Sequence, residues 1–208
     1  MESSALLGWI GSALFLARLV PQPLRLHRTG VSHGVSPLAA LNAAASDAAW
    51  FLYGLSSGLA PLWVCTALAI PLDAWTLWLL RHRVTVHDGL AASTWVLIIG
   101  AAWALRGADG LGASLAFSVL VNHAPQVWSA LRGDRLGGIA PATWYFALAD
   151  AMLWGGYGLA VRDGALVAYG IVLTVSALIT LARLWQVGGK RGLTPELPEG
   201  LPDPIENI

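Results

Sequence analysis

The chain has 208 residues, of which 56% are hydrophobic and only 12% charged, with no net charge. A soluble domain carries about a quarter charged residues, so this composition excludes an ordinary soluble fold and implies an all-α polytopic membrane protein. The neutral balance leaves no basic patch for nucleic acid, and the single cysteine, Cys65, excludes an internal disulfide or a cysteine-built metal centre.

A spanning helix needs about 20 mostly apolar residues. In chain order, the apolar runs predict spans over 5–26, 37–57, 61–81, 91–106, 111–131, 139–160 and 165–186. Beyond them Pro195, Pro198, Pro202 and Pro204 stand among scattered acids, which predicts a disordered cytoplasmic tail over 187–208. Orientation follows from Lys and Arg. With the C-terminus inside, the inner segments hold Arg25, Arg28, Arg81, Arg83, Arg132, Arg135, Arg183, Lys190 and Arg191, against Arg106 and Arg162 outside. The N-terminus is therefore expected outside and the C-terminus in the cytoplasm. Eleven arginines against one lysine, with abundant alanine, point to a GC-rich bacterial genome and so to the bacterial inner membrane.

Two blocks of the chain repeat. Pro21-Gln22, Gly34-Val35-Ser36-Pro37, Trp50 and Tyr53-Gly54 recur as Pro125-Gln126, Gly138-Ile139-Ala140-Pro141, Trp154 and Tyr157-Gly158, each 104 residues on. Three spans per repeat and one span between them divide the chain into a first repeat (5–81), a linker with the fourth helix (82–110) and a second repeat (111–186). Because one helix separates two odd-numbered bundles, both bundles point the same way, in a parallel 3+1+3 plan.

The two Pro-Gln pairs, each followed by a Gly-x-(Ser/Ala)-Pro turn and a Trp-x-x-Tyr-Gly helix end, resemble the PQ-loop repeat superfamily. That group includes the SWEET and SemiSWEET sugar transporters and the cystinosin-type amino-acid exporters. The resemblance covers roughly residues 5–186. It implies a transporter of a small polar solute, a sugar or an amino acid, that works by alternating access between the two bundles. The sugar transporters resemble one another in an Asn on the third helix of each repeat. Here the matching stretches, Trp63-Val64-Cys65-Thr66-Ala67 and Val167-Ala168-Tyr169-Gly170-Ile171, have none.

The polar residues inside the spans are the candidate site. Proline removes a backbone donor and clashes with the preceding turn, so Pro21 and Pro125 are expected to kink their helices and serve as hinges. Gln22 and Gln126 stand where they could satisfy the freed carbonyls. By rise per residue Asp47 lies about 15 Å into its span, Asp150 about 17 Å and Asp73 about 18 Å. A carboxylate at such depth is costly, and it persists when protonated, paired or lining a wet cavity. Asp47 and Asp150 read as proton-coupling acids or ligands for a substrate amine, or more plainly as hydrogen-bonded packing acids. Their offset is 103 rather than 104, so their roles differ. His123 is a candidate proton relay. Arg18 and Asp73 are expected to form a structural charge pair. Trp50 and Trp154, with Asn42, Phe146 and Asn122, supply the aromatic faces and polar groups that a small solute needs. Tyr53 and Tyr157, nearer the helix ends, read as an interface belt or outer gate.

No phosphate loop, nucleophile elbow or zinc-protease motif occurs. The chain therefore reads as no enzyme, with no cofactor and no metal, its partners being the solute, the bilayer and, in a coupled carrier, protons. It is either a facilitator or a proton-coupled carrier. The alternative is a membrane receptor or scaffold that binds a small ligand or lipid intermediate without moving it. A homo-oligomer is compatible with this plan but not required by it. For the topology, a cysteine at Ser57 should react with an impermeant maleimide added outside, and one at Arg132 only from the cytoplasmic side. The reverse labelling would invert the assignment.

Overall fold

A computed structural model describes residues 2–30, 32, 35–132 and 141–191. Side chains are described for 5–30, 32, 35–119, 127, 128, 131, 132 and 143–186. The tail over 192–208 and the Gly138–Ala140 turn lie outside the described residues. The described chain is all-helical: α1 (Glu2–Leu19), α2 (Pro21–Thr29), α3 (Pro37–Ser56), α4 (Ala60–Leu80), α5 (Val86–Arg132), α6 (Pro141–Val161) and α7 (Gly164–Arg191).

Local chemistry fixes the boundaries. Pro21 and Pro23 both lack an N–H, so the ladder breaks between α1 and α2 although Val20 keeps helical dihedrals (φ −59°, ψ −41°). α2 then runs on to Thr29, so His27 and Arg28 are helical, beyond the end of the first span predicted at 26. The helix stops at Gly30, whose left-handed φ of 64° lets its N–H cap Leu26 O. Ser36 caps α3, its Oγ accepting from Ala39 N at 3.2 Å, and Pro37 takes the first helical turn. α5 begins earlier than the apolar run predicts, at Val86. Thr85 and Asp88 form a reciprocal cap there: Asp88 Oδ2 accepts from Thr85 N at 2.9 Å and Thr85 Oγ1 accepts from Asp88 N at 3.2 Å. α7 likewise extends to Arg191, past the predicted start of the tail at 187.

The two prolines differ in continuity: the helix is broken into α1 and α2 at Pro21 but not at Pro125. α5 is helical straight through Pro125; its one non-helical residue is Gly107 (φ 58°, ψ −140°), which breaks it into 86–106 and 108–132. One missing hydrogen bond inside a long ladder leaves the neighbouring bonds to carry the helix through, whereas Pro21 and Pro23 together remove two within three residues.

Among the described residues, four stretches are long and apolar enough to cross a membrane: Ala5–Thr29, Ala60–Leu80, Val86–Val119 and Gly164–Gln186. The chain is a multi-pass membrane protein. α3 and α6 fall below that measure; α3 carries Asn42, Ser46 and Asp47, and α6 carries Asp150 with three glycines and a tyrosine over 155–158.

The helices pack so that the contacts map onto themselves when the repeats are exchanged. α1 packs on α4 and α6, while α5 packs on α7 and α3; α3 packs on α4 as α6 does on α7. A Cβ at Gly8 would lie 2.7 Å from Pro61 and 3.2 Å from Tyr157. One at Gly112, its mate, would lie 3.0 Å from Ala165 and 2.8 Å from Tyr53, which are the mates of Pro61 and Tyr157. Gly54 meets Trp63 N at 2.9 Å and Gly158 meets Val167 N at 2.8 Å, again 104 residues on. The turns that follow also match: Leu59 N donates to Gly54 O, and Asp163 N to Gly158 O, both at 2.8 Å. Even the left-handed turn residue recurs, as Gly58 (φ 68°) and Arg162 (φ 61°).

These close approaches matter because lipid is as apolar as a leucine core. Helix association in a bilayer rests on van der Waals contact at small residues and on interhelical hydrogen bonds. Ser12 supplies one of the latter, its Oγ donating to Pro61 O at 2.8 Å and so tying α1 to α4. Large side chains such as Leu97, Leu105, Met152 and Trp185 stay exposed on the outside of the bundle.

Gly54→Ala and Gly158→Ala should each overpack a helix–helix contact at a cost of about 1–3 kcal/mol. Thermal unfolding of the purified protein should fall by several degrees in both. Gly156→Ala, whose new Cβ would meet only Leu7 at 3.8 Å, should leave it unchanged or raised. Equal behaviour of the three variants would contradict the packing described.

Candidate functional site

A cavity of about 210 Å³ lies where the two repeats meet. Its wall is built largely from repeat mates: Phe15 and Val119, Trp50 and Trp154, Leu62 and Leu166, Cys65 and Tyr169. The third-helix stretches singled out by the repeat pattern thus do face the cavity, through Cys65 and Thr66 on α4 and Tyr169 on α7. Trp50 meets Tyr169 edge to face, with ring centroids 5.9 Å apart and planes at 89°, so the aromatic lining is continuous across the two repeats.

The polar groups break the symmetry. Arg18, Ser46 and Asp47 line the cavity from the first repeat; their mates are Asn122, Asp150 and Ala151. Arg18 is exposed although it sits among protein groups, because it stands in the mouth of the cavity. Its guanidinium faces Asp150, Tyr169 and Asp47. Tyr169 Oη donates to Asp150 Oδ2, and Trp154, one turn along α6, lies beside the same carboxyl. Asp150 is 1% exposed, and its Oδ1 has no partner among the described residues. The expected pair of Arg18 with Asp73 does not form. Asp73 on α4 faces Asp47 instead, whereas the Arg18 guanidinium faces Asp150, Tyr169 and Asp47.

Of the remaining candidates, Asn42 is half-buried outside the cavity wall with a buried, unpartnered Oδ1. Phe146, its mate, is 53% exposed on the outer surface of α6 and does not line the cavity. Gln22 is exposed beside the α1–α2 break. Asn122, His123, Pro125 and Gln126 lie on the helical backbone of α5, and their side chains are outside the described residues. Among the described residues no three His, Cys, Asp or Glu side chains gather to hold a metal ion.

Beyond Trp50 and Trp154 the cavity is sealed at the end formed by the C-termini of α3 and α6. Tyr53, Tyr157, Leu59, Leu111 and Leu115 are buried there in one apolar cluster. Trp50 and Tyr53 meet edge to face, as do Trp154 and Tyr157, at centroid distances of 5.7 and 6.0 Å. A hydrogen bond crosses between the repeats here: Tyr53 Oη donates to Asp163 Oδ2 at 2.7 Å. Asp163 Oδ1 also accepts from Leu166 N at 2.9 Å, which fixes the carboxylate at the start of α7. Sequence reasoning passed over Asp163 because its mate is Leu59. Tyr169 was passed over because the family comparison looked only for Asn in that stretch.

The opposite end is basic. Arg81 lies over the Trp78 ring at 4.4 Å and Arg132 over Trp128 at 3.9 Å, while Arg83 donates to Ser32 O and Val35 O and ties the α2–α3 connection to the end of α4. Arg25 and Arg28 are exposed on α2.

An all-helical membrane protein with an internal repeat and a cavity at the repeat interface is the class that this geometry defines. Residues 3–63, from α1 into the first turn of α4, match the family model of the PQ loop repeat. The match covers the Pro21-Gln22 pair and the Trp50-x-x-Tyr53-Gly54 helix end. No curated protein matches the chain.

Proposed function

We propose that the chain is a carrier that moves a small polar solute across the membrane by alternating access, with seven spans in a 3+1+3 plan. In this reading α1–α2, α3 and α4 form one bundle, the second part of α5 with α6 and α7 forms the other, and 86–106 is the linker span. The membrane is the bacterial inner membrane, with the N-terminus outside and the basic end in the cytoplasm. The observation that carries the reading is the cavity on the repeat interface. At one end the Tyr53–Asp163 hydrogen bond and the buried aromatic cluster join the repeats, while the exposed Arg18 lines the cavity elsewhere; in this reading the first end is the closed gate and Arg18 marks the open one. A binding site shut from one side and open to the other is what alternating access requires.

The wall favours an amino-acid-like zwitterion over a neutral sugar. Arg18 offers a fork for a carboxylate, and Asp47 offers an acceptor for an ammonium group, with Trp50 and Trp154 stacking on the body of the solute. At about 210 Å³ the cavity is smaller than the roughly 300–1,000 Å³ of drug-sized pockets, which limits the solute to a small one. The break at Pro21 is the hinge of the first bundle, and Pro125 and Gln126 occupy its counterpart. Asp47 and Asp150, with His123 of α5, are the groups that would link flux to protons.

Uptake of a mixed amino-acid and sugar panel into proteoliposomes, with and without an inward proton gradient, tests this. Amino-acid uptake driven by the gradient is expected, with a loss of about tenfold or more in Asp47→Asn or Asp150→Asn, within the usual range of coupling between sites. Gradient-independent sugar flux kept in both variants would replace this reading with a sugar facilitator. Absence of flux for every compound would move it to a receptor.

A further inference from the structure

We propose that the rim formed by α2 and α4 at the basic end binds the phosphodiester of an anionic phospholipid. Arg81, stacked on Trp78, is the centre of this site, and Arg25 and Arg28 of α2 supply further positive charge. The site lies on the outside of the bundle, away from the cavity, and stands whether or not the chain is a carrier.

The spans set the depth of these residues. Arg81 immediately follows the span Ala60–Leu80, and Arg25 and Arg28 stand in the last two turns of the span Ala5–Thr29. The next span begins at Val86. The arginines therefore stand where hydrocarbon gives way to headgroups. α2 packs on α4, with the His27 ring on Trp75 at a centroid distance of 5.5 Å, which brings the cations of both helices to one rim. Arg83, close by, is already engaged with Ser32 O and Val35 O. Asp88, the acid at the start of α5, is held by Thr85 N and Thr85 Oγ1. Among the described residues no carboxylate pairs with Arg25, Arg28 or Arg81, so the rim presents net positive charge to the bilayer surface.

The geometry of Arg81 selects the ligand. Its Cζ lies 4.4 Å from the centre of the Trp78 ring, and Nη1 donates to Trp78 O at 2.6 Å. Stacking uses the flat face of the guanidinium. The remaining N–H groups lie in its plane, as a fork that fits two oxygens of one phosphate. Trp78 is 56% exposed, so the same pair offers an indole surface to the glycerol and upper acyl chain of the lipid. A free phosphate would use the fork and leave the indole bare, whereas a phospholipid uses both. The arrangement recurs at the same end of α5, where Arg132 lies 3.9 Å over Trp128 and both Trp128 and Leu131 are exposed. A lipid held on this rim touches α2, which follows the break at Pro21, and α4 together.

The test is native mass spectrometry of the full chain in detergent, titrated with dioleoyl phosphatidylglycerol or dioleoyl phosphatidylcholine. Every protein in the series carries Arg132→Gln, so that the α4 stack is read alone. The parent should bind the first phosphatidylglycerol about fivefold or more tighter than phosphatidylcholine, the effect of one arginine at an anionic surface. Arg81→Gln and Trp78→Leu should each abolish that preference. Arg81→Lys, which keeps the charge without the planar fork, should fall with them. Trp78→Phe, which keeps a ring face, should retain the preference and guards against a folding effect. Arg106→Gln, three residues after Trp103 at the other end of the linker span, should also retain it. Equal affinity for the two lipids, or a loss in Arg106→Gln as large as in Arg81→Gln, would overturn the site. Full preference in Arg81→Lys would overturn the stacked fork. Displacement of phosphatidylglycerol by inorganic phosphate would overturn the lipid as the ligand. Tighter lipid binding after Glu196→Gln, Glu199→Gln, Asp203→Asn and Glu206→Gln are made together would assign the rim to the chain's own tail instead.

Discussion

The constraint on which the rest depends is the cost of charge inside an apolar helix bundle. One ionised side chain near the middle of a span costs several kcal/mol unless it finds a partner or water. Arg18, Asp47, Asp73 and Asp150 all lie within helices, and the fold gathers them at the one place where both remedies exist, the cavity between the repeats. Arg18 reaches water through the cavity mouth while facing Asp150; Asp150 takes the Tyr169 hydroxyl; Asp47 and Asp73 face each other across the α3–α4 seam. Placed singly on lipid-facing positions, these residues would oppose insertion. Grouped, Arg18 and Asp47 line the cavity, and Asp73 and Asp150 are buried close behind its wall.

The internal repeat explains why the site falls there. Exchange of the repeats maps Gly8 against Pro61 and Tyr157 onto Gly112 against Ala165 and Tyr53. Each bundle therefore grips the other through its first helix and its neighbour's second. A cavity on such an interface is lined by matched pairs, and matched pairs give a symmetric aromatic cage. The chain departs from symmetry at a few positions: Arg18 against Asn122, Ser46 against Asp150, Cys65 against Tyr169, Leu59 against Asp163. The matched pairs named above are apolar or aromatic, and the mismatched ones bring in the charged and hydroxyl groups.

Much of this was legible in the sequence, for identifiable reasons. The apolar run over 37–57 located α3 and that over 139–160 located α6, and the 104-residue offset tied the two together as counterparts. Trp50, Trp154 and the third-helix stretches were found to face the cavity because a repeat puts equivalent residues about a common axis. The partner of Arg18 was not legible. Each residue turns a helix by about 100°, so whether Arg18 meets Asp73 or Asp150 depends on how α1 rolls against α4 and α6, which linear spacing does not fix. Phe146 failed for a related reason: sharing a register with Asn42 does not confer the same burial. The break at Pro21 but not at Pro125 turns on Pro23, whose mate is Val127. The early start of α5 was written in Thr85-x-x-Asp88 and was hidden by the attention paid to apolar runs.

The central claim is that the Tyr53–Asp163 end must open for solute to pass. Cysteines at these two positions, bridged by a reducible bifunctional thiol reagent of matching length in reconstituted protein, test it most directly. The account predicts that bridging stops transmembrane flux and that reduction restores it, with binding at the basic-end mouth preserved throughout. Undiminished flux in fully bridged protein would contradict it.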